Sequence, residues 1–158
     1  MYGSHGAGRV ASRQKRGLGE PCEIVVLDFA AGLSVTLPLE RALEYLRPLA
    51  GETEMACVRT TLREDRAPSE EGWLKRYKAT QAKVTAGETV GLAEVVRDSV
   101  RRDRRSTVYG RTKQLSSSER QLYLKARRLL ADEIGLGCGF EPSEADDWIT
   151  NQLSHTAR

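Results

Sequence analysis

The sequence predicts an α+β fold, a small β module in front of a compact bundle of five helices. Three observations predict it. The first forty residues hold short apolar or alternating runs bounded by turn residues. From Glu52 onward, apolar residues recur at helical spacing. With 39% hydrophobic and 30% charged residues in a chain of 158, the apolar supply suits modest cores rather than one large one. The front module is expected over residues 1–50 and the helical part over 51–158, joined near residues 47–52.

In chain order, Gly8–Arg13 reads as a short strand, followed by turn chemistry at Gly17-Leu18-Gly19-Glu20-Pro21. Cys22–Phe29 is rich in β-branched residues, and Leu33–Leu39 alternates. Ala30-Ala31-Gly32 between them suits a hairpin loop. Three strands of this length make a small sheet or part of a barrel, not a sandwich. Leu39–Leu46 reads as a short helical turn before Pro48. Glu52–Arg63 places Met55, Val58 and Leu62 on one side of a helix.

Ser69 fits an N-cap, with Glu70 and Glu71 in the first turn, where the helix dipole favours them. That helix runs to about Ala86, and Gly87 stops it. Leu74, Tyr77, Gln81 and Val84 form its expected inward row, which leaves Trp73 at the edge. The next helix has Leu92, Val95, Val96, Ser99 and Val100 at the amphipathic spacing and ends in Arg101–Arg105. Residues 106–115 read as a mobile basic loop. Ser116-Ser117-Ser118-Glu119 is a capping box. It opens a long helix to about Ile134, ended by Gly135-Leu136-Gly137. A last helix, Ser143–Leu153, is expected to bury Trp148, Ile149 and Leu153. The many acidic residues on helices read as solvated faces.

Catalytic chemistry is missing from the pattern. His5 and His155 sit near opposite ends with no Cys or Asp framework around them. Gly6-Ala7-Gly8 lacks the lysine and spacing of a phosphate loop. Cys22, Cys57 and Cys138 are far apart and match no metal pattern. No enzyme, cofactor or metal is expected. No apolar run approaches the roughly 20 residues of a membrane span, and no secretory signal is recognisable. A cytoplasmic monomer is the expectation.

Charge and aromatics point to a polyanion instead. Residues 1–68 carry no net charge. Residues 69–130 hold fifteen cations against seven anions, a net of +8, and residues 131–158 carry −5. Within the basic segment, Trp73 and Tyr77 lie four residues apart and share a helix face, with Lys75, Arg76 and Lys78 interleaved. An aromatic tip ringed by cations suits unstacked bases beside a phosphate backbone. The plain alternative is a core Trp on a helix with a solvated basic face. For Trp148, in the acidic tail, core packing is the reading.

The chain resembles the CarD family of bacterial transcription regulators. The resemblance rests on Tyr2-Gly3-Ser4-His5-Gly6-Ala7-Gly8-Arg9-Val10, the strand Ile24–Phe29, Leu33-Ser34-Val35-Thr36-Leu37-Pro38, Trp73-Leu74-Lys75-Arg76-Tyr77-Lys78-Ala79, Ala93-Glu94-Val95-Val96-Arg97-Asp98 and Leu124-Lys125-Ala126-Arg127-Arg128-Leu129-Leu130. It implies that the front is a Tudor-like, barrel-type module that docks on the β subunit of RNA polymerase. It implies that the helical domain contacts promoter DNA at the upstream edge of the melted −10 region. Trp73 matches the family's minor-groove wedge, and Lys75, Arg76, Lys78 and Arg120 match basic DNA contacts. On the polymerase side the basic strand-end contact falls at Lys15 or Arg16, next to Gly17. A second basic position is occupied here by Thr36, so one charge-assisted contact is lost. The family's usual first strand is not recognisable before Tyr2, and the loop 104–115 is long and basic. The competing function is a nucleoid or single-strand DNA-binding protein that works without polymerase. A protein–protein module with Trp73 in its core is a third.

Overall fold

Val25, Leu27 and Phe29 alternate along one strand, and all three are buried, so one face of the front sheet is fixed by period-two patterning. In the computed structural model, residues 1–2, 5–16, 22–29, 32–67, 69, 71–108 and 115–155 are described. Strands β1 (Gly8–Arg16), β2 (Cys22–Phe29) and β3 (Ser34–Pro38) form an antiparallel sheet in the order β1-β2-β3. Gly8 pairs with Phe29, Arg16 with Cys22 and Ile24 with Pro38. The register shifts between Val10 and Ser12, a bulge in β1. The expected strand from Gly8 therefore continues three residues past Arg13.

The sheet is open among the described residues, not a closed barrel. β1 and β3 each have a strand neighbour on one side only. The apolar face is covered instead by helix α1 (Leu39–Tyr45), whose Ala42 joins Val25, Leu27 and Phe29 in a small core. α1 is a true helix where the sequence suggested a single turn, and with it the described residues hold six helices rather than five.

Helices α2 (Glu52–Arg63), α3 (Trp73–Ala86), α4 (Thr89–Val108), α5 (Ser117–Cys138) and α6 (Pro142–Ser154) build the bundle. Its core holds Val58 and Leu62 of α2, Val84 of α3, Leu92, Ala93, Val95 and Val96 of α4, Ala126, Leu129, Leu130 and Ile134 of α5, and Ala145, Ile149 and Leu153 of α6. α4 sits centrally, packed on α2, α3 and α5. Trp148 is half-buried against this core, with the Arg59 guanidinium 6.0 Å from its ring centroid.

Several boundaries differ from the sequence reading. Ser69 does not cap α3. Its hydroxyl accepts the Glu71 N–H at 3.2 Å in a local turn, and the first helical bond runs from Arg76 N–H to the Gly72 carbonyl at 3.1 Å. α4 continues through Val108, so 106–108 are helical; residues 109–114 of the expected loop lie outside the described residues. α5 passes through Gly135 and Gly137 and ends only at Gly139, which adopts the left-handed conformation at φ 71°. A Cβ added at Gly135 would stand 3.3 Å from the Phe140 carbonyl. The missing side chain at Gly135 thus lets the chain turn tightly into α6.

Arg47 joins the two halves. Its guanidinium spans both carboxylate oxygens of buried Glu133 at 2.6 and 2.8 Å. It also donates to the Gly87 carbonyl at 2.8 Å and the Thr89 hydroxyl at 3.1 Å. Glu133 additionally accepts from the Ala50 N–H at 2.9 Å. Reading Glu133 as solvated is therefore overturned. The arginine lies in the sheet-to-bundle connection, out of reach of any local sequence pattern. Met1 and Ala7, ahead of β1, pack into the bundle core.

Candidate nucleic-acid interface

α3 starts at Trp73 behind Gly72, an N-cap that offers no side-chain hydrogen bond. Such a helix start is poorly secured by local sequence. Tertiary contacts to α5 secure it instead. Ser116 and Glu119 form the expected capping box: the Ser116 hydroxyl accepts the Glu119 N–H, and the Glu119 carboxylate accepts the Ser116 N–H at 3.0 Å. Oε1 of the same carboxylate takes the Arg76 guanidinium at 3.0 and 3.2 Å. Arg76 also donates to the Glu71 carbonyl at 2.6 Å. Burial pushes the Glu119 carboxyl up. The Ser116 backbone and hydroxyl donors and the Arg76 guanidinium outweigh it and hold the group below its usual range.

Trp73 is 47% exposed. Its ring stacks on Tyr77 at 5.4 Å between centroids, with 19° between planes. Its indole N–H donates to the Ser116 hydroxyl oxygen at 3.3 Å. One ring face and the polar edge are thus engaged within the protein, and much of the ring is left to solvent. The expected inward row is corrected. Leu74 is 56% exposed and Gln81 is exposed, while Tyr77 is half-buried and Val84 is buried. The pull of Glu119 on Arg76 turns the Arg76–Thr80–Val84 side towards the bundle.

The basic residues divide into two groups. Arg76, Lys83, Arg97, Arg101 and Arg127 are paired with Glu119, Glu94, Glu64, Asp65 and Asp146 respectively. Arg97 is 2% exposed, a buried guanidinium on α4. Exposed Lys75 contacts Glu71 at 2.5 Å, an i,i+4 pair that raises the lysine and lowers the glutamate. Lys78 and Arg120 are exposed and enter no ion pair among the described residues. A groove of about 450 Å³ between α3 and α4 is lined by Arg76, Arg97, Arg102 and Glu119 among others. Burial first, then the neighbouring Arg76 charge, lowers Arg102.

The site residues expected in the helical part are thus close in the fold. Trp73, Lys75, Arg76 and Lys78 share α3, and Arg120 lies in the first turn of α5, one residue past the Glu119 that binds Arg76. Ser116 and Glu119 are the members that sequence reasoning did not assign to the site. The capping box was visible as a helix start, but its second use was not, since Arg76 and Glu119 lie 43 residues apart.

The other expected residues lie on the sheet. Lys15 is exposed on β1, with its ammonium 3.7 Å from Glu23. The Arg13 hydrogen bond, assisted by Lys15, lowers the Glu23 carboxyl. The backbone of Arg16 ends β1, and its side chain, like Gly17, lies outside the described residues. Thr36 is exposed on edge strand β3, opposite Val26. No helix among the described residues is long and apolar enough to cross a membrane, and no group of His, Cys, Asp and Glu among them could hold a metal ion. The family model described as CarD, C-terminal domain, matches residues 57–150, more than half of the chain, and takes in Trp73, Lys75, Arg76, Lys78 and Arg120.

Proposed function

This chain belongs to the CarD family of transcription regulators, and on that premise we propose that it is a non-catalytic bridge between the RNA polymerase β subunit and promoter DNA. It stabilises the open complex near the upstream edge of the −10 bubble. The observation that carries the reading is Trp73. A large apolar ring stands 47% exposed at a helix start, held by Tyr77 and Ser116, on a helix that also carries exposed Lys75 and Lys78. A wedge of this kind offsets the few kcal/mol of unstacking one base step by filling the gap it opens. The polymerase contact falls to the front sheet, where edge strands β1 and β3 offer unpaired backbone and Lys15 adds charge. Two weak contacts on one chain reinforce each other through effective concentration.

Internal pairing weighs against the polymerase-independent reading. Lys75, Arg76, Lys83, Arg97, Arg101 and Arg127 of the +8 segment are already paired with carboxylates of the same chain, so not all of its charge is free for DNA. The test is open-complex lifetime on one promoter with wild type and Trp73→Ala. The variant should still bind polymerase and should lose roughly 1–3 kcal/mol of stabilisation, the scale of one stacking contact. An unchanged lifetime would return Trp73 to a packing role. Equal DNA retention with and without polymerase would favour the nucleoid reading.

A further inference from the structure

We propose that Ser116, oriented by Glu119, is a positioning residue for Trp73: it sets the indole in its DNA-ready rotamer before any partner arrives. The inference rests on the reading of Trp73 as the DNA contact.

The argument is one of hydrogen-bond inventory. A serine hydroxyl has one proton to donate and two lone pairs. The Ser116 hydroxyl donates its proton to Glu119 Oε2 at 2.9 Å. Its lone pairs then face the Glu119 N–H at 3.3 Å and the Trp73 indole N–H at 3.3 Å. An indole N–H can only donate. The carboxylate therefore makes the hydroxyl an obligate acceptor, and the indole is its tertiary donor. Glu119 holds the same helix start a second time, through Oε1 and Arg76. Tyr77 closes one ring face. One hydrogen bond and one stack restrain the indole, and the Arg76–Glu119 pair holds a helix start that has no cap of its own. A surface indole otherwise samples several rotamers, and freezing it on binding costs affinity. Fixing it beforehand removes that cost from the binding step.

The test separates capping from positioning. Glycine at an N-cap retains most of the helix-start stability but has no hydroxyl. Ser116→Gly and Ser116→Thr are made in a Trp148→Phe background, where Trp73 is the sole indole. Acrylamide quenching and anisotropy of Trp73 emission are read in the free protein, and open-complex lifetime with polymerase. Ser116→Gly should keep its melting temperature within a few degrees and raise quenching and ring mobility. It should shorten the lifetime roughly fivefold, the equivalent of one lost hydrogen bond. Ser116→Thr, which keeps the hydroxyl, should restore both. Quenching and lifetime unchanged in Ser116→Gly, beside a clear loss in Trp73→Ala, would overturn the positioning role and leave the DNA-contact reading intact. If Trp73→Ala leaves the lifetime unaltered, the DNA-contact reading falls instead, and the positioning proposal falls with it.

Discussion

Glu119 carries three interactions on one carboxylate, and its titration gives them a measurable signature. Its folded-state pKa lies below the ordinary value of 4.5. In the window between the two, the unfolded chain binds more protons, so stability rises with pH and is complete above 4.5. It is lost as the pH falls through the folded value. The groups facing this carboxylate are Ser116 of its own capping box, Arg76 of α3 and, electrostatically, Arg102 of α4. Glu119→Gln keeps the neutral acceptor and loses the charge. It should cost about 1 kcal/mol at neutral pH, and the gap to wild type should narrow as the pH falls below 4.5. Thermal unfolding between pH 3 and 7 checks this. Trp73→Ala should cost well below the roughly 3–5 kcal/mol of a buried aromatic, because nearly half of the residue is already in water. The aromatic pair and its cations were legible as i,i+4 neighbours. That Arg76 is occupied by Glu119 was not, since no local periodicity links residues on two helices.

Most elements follow from local signals. β2, the capping box of α5 and the left-handed Gly87 after α3 stand where the sequence placed them. Ends set by packing do not: α5 runs through two glycines because Gly139, not Gly135, takes the left-handed conformation. One tie from the sheet-to-bundle connection to α5 is Arg47 with Glu133, which also satisfies the Ala50 N–H and the Thr89 hydroxyl. Hydrogen bonding to Glu133 comes first among the causes that raise Arg47. Glu133→Ala would leave the half-buried guanidinium and the buried Thr89 hydroxyl without their acceptor. Removing one partner of such a pair costs about 3–5 kcal/mol. Denaturant unfolding should show that loss, with the front module released from the bundle and residues 8–38 more open to hydrogen exchange.

At the scale of the molecule, charge is uneven in two senses. The middle segment is basic in total, yet four of its arginines, Arg76, Arg97, Arg101 and Arg127, are paired with carboxylates of the same chain. The cations left to a polyanion include exposed Lys78 on α3 and Arg120 in the first turn of α5. Lys78→Gln and Arg120→Gln should each lower the slope of log affinity against log salt by about one, with little change in melting temperature. Arg76→Gln should behave differently, destabilising the fold because Glu119 loses its partner. Titration of a fork-junction promoter fragment over a salt series, beside thermal unfolding, distinguishes the two classes.

The sequence by itself determined the α+β order, the helical periodicities, the start of α5 and the basic, aromatic character of the α3 start. Each of these depends on residues within a turn or two of one another. Only the tertiary structure decided that the front sheet is open and covered by α1, that Glu133, Arg97 and Glu119 are withdrawn from solvent, and that Ser116 meets Trp73. Those outcomes depend on which carboxylate meets which guanidinium across tens of residues. A buried charge needs a partner wherever the chain can supply one, and the linear order of residues does not say where that is.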